Sequence, residues 1–168
     1  ITFLSRLPAA NGNGWNSADV TITWSCTNSL SPILSGTVTQ TLTAEGAAQS
    51  ATGMCQDQAG NTASNTQSGI NIDKTAPTGV SLVPSGTLGN NGWYTSNVTI
   101  TTTGTEAVSG PLTCTGVQSL TTDTASATFN GSCTNLAGFT SNAAPLTLKR
   151  DATNPTITFL NRTPANGN

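Results

Sequence analysis

The sequence predicts an all-β chain: antiparallel β-sandwich modules of about seven short strands each, repeated in tandem. Three observations carry this. The stretch Asp73-Lys74-Thr75-Ala76-Pro77-Thr78 returns as Asp151-Ala152-Thr153-Asn154-Pro155-Thr156, an offset of 151 − 73 = 78 residues. A fixed period of that length marks a repeat architecture. Threonine is the most frequent residue, and with Val and Ile it favours pleated strands. Apolar residues alternate with polar ones in short runs, and no window sustains a 3.6-residue period.

The register holds along the module. Gly14-Trp15 maps to Gly92-Trp93, Val20-Thr21-Ile22-Thr23 to Val98-Thr99-Ile100-Thr101, Cys55 to Cys133, and Ala59-Gly60 to Ala137-Gly138. The opening Ile1-Thr2-Phe3-Leu4 recurs as Ile157-Thr158-Phe159-Leu160. The predicted modules are 1–78 and 79–156, with 157–168 the first strand and loop of a following repeat.

Within the first module, Ile1–Leu4 reads as a short strand and Pro8–Gly14 as an Asn/Gly-rich loop. Val20–Cys26 alternates, with Val20, Ile22, Trp24 and Cys26 on one face. Leu30–Gly36 reads as a loop with a short strand, Thr37–Thr43 as a strand, and Glu45-Gly46 as a turn. Ser50–Gln56 places Ala51, Gly53 and Cys55 on one face, where the second module has Phe129, Gly131 and Cys133. Asp57–Asn61 reads as a hairpin turn. A last strand brings Ile70 and Ile72 inward, as Leu146 and Leu148 do in the second module. The expected core is Phe3, Val20, Ile22, Trp24, Val38, Leu42, Cys55, Ile70 and Ile72, then Leu82, Val98, Ile100, Leu112, Phe129, Cys133, Leu146 and Leu148.

A 78-residue module is near the lower size for an independent core, so a covalent staple is expected. The four cysteines split two per module. Even pairing predicts disulfides Cys26–Cys55 and Cys114–Cys133 and an oxidising compartment; buried free thiols are the alternative. Charged residues are 7% and the net charge is −2, with no basic patch for nucleic acid. No apolar run is long enough to span a membrane.

Gly-Trp, the alternating Val-Thr-Ile-Thr strand, Cys-x-Asp/Asn-x-Ala-Gly and Asp-x-Thr-x-Pro-Thr together resemble the tandem bacterial Ig-like repeats of extracellular surface proteins. The resemblance covers the whole chain. It implies tandem Ig-like sandwiches in an adhesin stalk or fibre, located at the cell surface or in a secreted filament. One feature departs from a shared pattern: Cys26 aligns with Gly104, and Cys114 with Gly36. The resemblance also brings calcium into question, because such arrays often bind it at their joints. Asp73 and Asp151 are the weak candidates, one carboxylate per linker. Solvated or turn-capping aspartates are the plainer reading, and no cofactor is expected.

With no histidine and no pair of converging acids, no catalytic residue is nominated and the chain is expected not to be an enzyme. Pro77 and Pro155 make each linker short and extended. Trp15, Trp93 and Tyr94 follow Asn/Gly loops, either plugging the end of a sandwich or stacking on sugars. The second option defines an alternative function, a carbohydrate-binding adhesive module. Asn97, Asn130 and Asn161 open tripeptides of the glycosylation pattern, for which an unmodified polar face is the alternative. The expected partners are copies of the chain, in a fibre or covalent array, and glycans. Ile157 and Phe159 require a cover, from a continuing module or from a neighbouring subunit taking the strand.

Overall fold

The computed structural model describes residues 1–162. Those residues contain no α-helix and fifteen short strands. Six lie before the Pro77 linker: β1 (Thr2–Leu7), β2 (Trp15–Asn16), β3 (Val20–Ser25), β4 (Thr37–Leu42), β5 (Gly46–Gln56) and β6 (Thr62–Ile72). Nine follow the linker. They are β7 (Thr78–Ser85), β8 (Trp93–Tyr94), β9 (Val98–Thr105), β10 (Thr113–Cys114), β11 (Gln118–Leu120), β12 (Thr124–Phe129), β13 (Ser132–Thr134), β14 (Thr140–Asn142) and β15 (Leu146–Arg150).

The strands form five three-stranded sheets. The first half holds β1-β3-β4 and β2-β6-β5; the second holds β7-β9-β11, β8-β15-β12 and β10-β13-β14. Pairing is antiparallel except for the two-residue contacts β2–β6 and β8–β15. Those two parallel contacts involve the two Gly-Trp segments, at the same place in each half.

Each half has its own hydrophobic cluster. In the first, Val20, Ile22 and Trp24 of β3 meet Ala51, Ile70 and Ile72 of β5 and β6, with Ile1, Val38 and Leu42 at the margin. In the second, Val98, Ile100, Leu120 and Leu148 are surrounded by Leu82, Tyr94, Ala127, Phe129 and Leu146. Burying each of the large aliphatic side chains contributes about 1.5–3 kcal/mol.

The two clusters fill the same volume differently. Trp24 and Ala51 in the first half stand where Thr102 and Phe129 stand in the second. Trp24 is fully buried and donates its indole N–H to Asn65 Oδ1 at 3.0 Å. Its ring lies so close to β5 that a Cβ on Gly53 would sit 2.5 Å from Cδ2. Thr102 is also buried, and its hydroxyl has no hydrogen-bond partner.

The outer faces carry hydroxyl pairs in place of charges. Thr21 and Thr41 lie 2.9 Å apart across β3–β4, Thr52 and Thr66 2.8 Å across β5–β6, and Thr134 and Thr140 2.7 Å across β13–β14. Such cross-strand pairs stabilise a sheet without ionised groups, which accounts for a folded surface with so little charge.

Several expectations need correction. Phe3 is 39% exposed: β1 is an edge strand, so Phe3 opposite Trp24 is covered on one side only, and Ile1 packs on the cluster instead. Cys55 and Leu112 are half-buried, whereas Ala51 and Leu120 are buried. Residues 30–36 contain only an isolated bridge, Ile33 to Asp57, rather than a strand. The strand count is uneven, six and nine, not seven and seven. Pro145, at the position of Gln67, lacks the N–H a ladder needs, so the long β6 has two short counterparts, β14 and β15. Residues 157–160 form no strand; they have no partner ladder, and Ile157 is 99% exposed. Residues 163–168, the rest of the predicted third repeat, lie outside the described residues.

Candidate functional site at the joint between the halves

The linker leaves β6 as a fixed knuckle. Asp73 donates its N–H to the Asn16 carbonyl at 2.9 Å, and its Oδ1 accepts the Thr75 N–H at 2.9 Å. Glu45, from the turn before β5, holds the next residues: Oε1 accepts the Lys74 N–H at 2.6 Å and the Thr75 hydroxyl at 2.9 Å. Lys74 folds back on the first half, reaching Asp19 at 2.8 Å and the Thr43 carbonyl at 2.7 Å. The second oxygen of Asp73, Oδ2, enters the other half.

There it meets a prepared receptor. The Ser109 hydroxyl donates to Asp73 Oδ2, and Asn135 Nδ2 lies 3.0 Å from the same oxygen. That Nδ2 is also 2.9 Å from the Thr75 carbonyl and 2.9 Å from Glu106 Oε2. Asn135 is oriented by its other end, whose Oδ1 accepts the Phe139 N–H at 2.9 Å. Asp73 and Ser109 are fully buried and Asn135 is 4% exposed. A buried carboxylate is tolerated only when hydrogen-bonded, and this one uses donors from the opposite half.

Burial raises the Glu106 pKa, but the Val108 N–H, the Asn135 amide and the Ala107 and Ser109 N–H groups outweigh it and hold it below its ordinary value. Asn11 and Asn13 add amide contacts to the Leu136 carbonyl at 2.8 and 3.1 Å, and Pro77 is buried.

Both sides of this joint recur elsewhere. At the end of β15, Asp151 donates its N–H to the Tyr94 carbonyl at 2.9 Å, and its Oδ1 accepts the Thr153 N–H at 2.9 Å. Asp123 takes the role of Glu45, accepting the Ala152 N–H at 2.9 Å and the Thr153 hydroxyl at 2.6 Å. The Thr153 hydroxyl chiefly, then the Ala152 N–H and the Arg150 charge, lowers the Asp123 pKa. At the other end, Asn28, Ser31 and Asp57 occupy the register of Glu106, Ser109 and Asn135. Asp57 Oδ1 accepts the Asn61 N–H at 2.8 Å, and Oδ2 accepts the amides of Asn61 and Asn28, both at 2.9 Å. The Asn61 side chain is the main cause of a lowered Asp57 pKa, overcoming burial. Ser31 Oγ accepts the Ala59 N–H at 3.1 Å, as Ser109 Oγ accepts that of Ala137 at 3.4 Å.

The other nominated residues are dispersed. Disulfides join Cys26 to Cys55 and Cys114 to Cys133. The first cysteines come from different strands, yet both bridges end on the same late segment. A Cβ on Gly104, the register position of Cys26, would lie 3.2 Å from Cys133 Sγ.

Trp15 is 8% exposed and presents no face to a sugar, which removes it from the ligand-binding candidates. Trp93 and Tyr94 are half-buried, and the Lys149 ammonium lies 5.2 Å from the Trp93 ring centre. Asn97, Asn130 and Asn161 are exposed, although Asn97 is held by Arg150 at 2.9 Å. Thr163, the third residue of the last tripeptide, lies outside the described residues. Among the described residues, no three His, Cys, Asp or Glu side chains converge to hold an ion. Asp73 is engaged by Ser109 and Asn135, and Asp151 stands exposed.

Reading the sequence alone misses Ser109, Glu106 and Asn135. The signal was present as an exchange: Asn28 and Asp57 become Glu106 and Asn135, so acid and amide swap places at a constant register. Fold and bridges together define an all-β, disulfide-bonded chain, with no helix among the described residues long and apolar enough to cross a membrane. No family model matches it, and no curated protein matches it.

Proposed function

We propose that the chain is a structural segment of an extracellular fibre or stalk, two Ig-like modules joined by a side-chain-locked linker. One observation carries this reading. The linker aspartate of the first half is buried against Ser109 and Asn135 of the second. An enclosed carboxylate with partners across a joint resists independent motion of the two sides, because separating them breaks charge-assisted hydrogen bonds. A segment that transmits force or sets spacing needs that property.

Two disulfides favour an oxidising compartment, and hydroxyl-paired outer faces suit a surface without charged ligands. The reading assigns the chain no reaction, in keeping with the absence of histidine. The test is immunogold electron microscopy of cells that make the protein, with antibodies raised against residues 1–156. Labelling spaced along external filaments is the expected result. Labelling confined to the cell interior would overturn the proposal.

A further inference from the structure

The chain contains one closed joint, plus an open copy of each of its sides. Exposure separates the copies. Where the joint is closed, Asp73 and Ser109 are fully buried, Ala137 is 7% exposed and Pro77 is buried. At the corresponding open positions, Asp151, Ala59 and Pro155 are exposed and Ser31 is half-buried. Leu30, at the position of half-buried Val108, is 94% exposed. A cavity of about 100 Å³ adjoins Asp57, lined by Ile1, Asn28, Ile33, Cys55 and Asn61 among others.

The open sides are already shaped for each other. The Asp151 knuckle has the same internal hydrogen bonds as the Asp73 knuckle, with Asp123 in place of Glu45. The receptor turn has the same backbone closure in both halves: Gly60 N–H to the Asp57 carbonyl and Gly138 N–H to the Asn135 carbonyl, each 3.1 Å. Chemistry also matches. In the closed joint one amide, Asn135, lies between two carboxylates, Asp73 and Glu106, while a serine hydroxyl donates to the first. At the open receptor the amide is Asn28, already donating to Asp57 at 2.9 Å. A primary amide carries two hydrogens, so Asn28 has a second one for an incoming carboxylate, with Ser31 beside it.

We propose that the Asn28–Ser31–Asp57 face binds the Asp151-Ala152-Thr153 knuckle of a second copy of the chain, repeating the internal joint head to tail. This rests on the reading of the chain as a structural segment and names how its units meet. The contact is heterologous, so each addition exposes the same pair of ends and association continues into a filament. Within one chain the joint forms at the high effective concentration set by the linker, whereas separate copies need concentrations approaching millimolar.

The experiment is sedimentation velocity on the oxidised chain across that range, with two variants at exposed positions. Asp151→Ala removes the donor carboxylate, and Leu30→Glu places a repelling charge at the mouth of the receptor. The wild type is expected to form a concentration-dependent series of oligomers. Each variant alone should associate about tenfold more weakly, the loss of one charge-assisted hydrogen bond or its equivalent. An equimolar mixture retains one good donor and one good receptor and should stop at dimers. Variants that polymerise like the wild type, or a wild type that stays monomeric with unmoved Asn28, Ser31 and Asp57 amide resonances, would overturn the proposal.

Residual dipolar couplings on Asp73→Ala separate that failure from failure of the underlying reading. If the wild type stays monomeric yet Asp73→Ala frees the two halves from their fixed orientation, head-to-tail docking is wrong and the structural-segment reading stands. If Asp73→Ala leaves the orientation fixed, the lock has no effect and both are wrong.

Discussion

Replacing Thr102 by valine should stabilise the second half. Thr102 points its hydroxyl into the cluster, is 7% exposed, and finds no partner for Oγ1. A buried, unpaired hydroxyl costs about 1–3 kcal/mol relative to an apolar group of the same shape. Valine keeps the β-branch and the strand preference and exchanges the hydroxyl for a methyl. The neighbours are apolar on that side: a Cβ on Gly131 would meet Thr102 Oγ1 at 2.6 Å and Leu82 Cδ2 at 2.8 Å. The expected gain is therefore about 1–2 kcal/mol, near the lower part of that range because the added methyl must fit beside Gly131. Urea unfolding of the oxidised chain, followed residue by residue by amide NMR, reads the two halves separately. The midpoint for residues 78–150 should rise at unchanged slope while that for residues 2–72 stays put. An unchanged or lowered midpoint would refute the claim that the hydroxyl is unsatisfied and would point to a water or a rotated side chain holding it.

Further outcomes follow from the same contacts. Gly53→Ala should destabilise the first half by about 1–3 kcal/mol, the usual range for overpacking, because the new methyl would sit 2.5 Å from the Trp24 ring; a differential scanning experiment showing no loss would contradict that packing. Reducing the bridges should cost each half about 3 kcal/mol on the chain-entropy account, for closed loops of 29 and 19 residues. Denaturant melts with and without reductant measure it, and a loss confined to one half would show that only one bridge matters. Asp57, Glu106 and Asp123 all have folded pKa values below their ordinary ones of 3.8, 4.5 and 3.8. Their stabilisation is thus complete above the unfolded values and is lost as pH falls through the lower folded ones. Stability should be flat near neutrality and decline below about pH 4; a decline beginning near pH 6 would assign the dependence to other groups.

The fold was legible wherever a strand has one wet face and one dry one. Val20, Ile22 and Trp24 alternate because β3 is paired on both sides, by β1 and β4, and packs one face inward. Phe3 misleads because alternation gives direction but not coverage, and an edge strand lacks the neighbour that would close over it. The bridges were legible because cysteines come two to a repeat. The joint was half legible. Repetition singled out Asp73 and Asp151, but a linker aspartate next to a lysine reads as solvated. Its burial depends on Ser109 and Asn135, 36 and 62 residues away, a contact that no local pattern encodes.

The reciprocal filling of the two clusters bears on how neighbouring repeats avoid each other while folding. Adjacent units of one backbone plan can exchange equivalent strands, a characteristic failure of tandem proteins. Here the exchange is penalised in both directions. Bringing Phe129 against Trp24 would set two large rings in a space built for one, while bringing Ala51 against Thr102 would leave a void where Phe129 belongs. The bridges add a second check. Cys26 and Cys114 lie on different strands, so a strand borrowed from the neighbour would present glycine where its new host needs sulfur. Divergence between the repeats therefore acts as proofreading of the chain's own self-recognition, with each half accepting only its own strands.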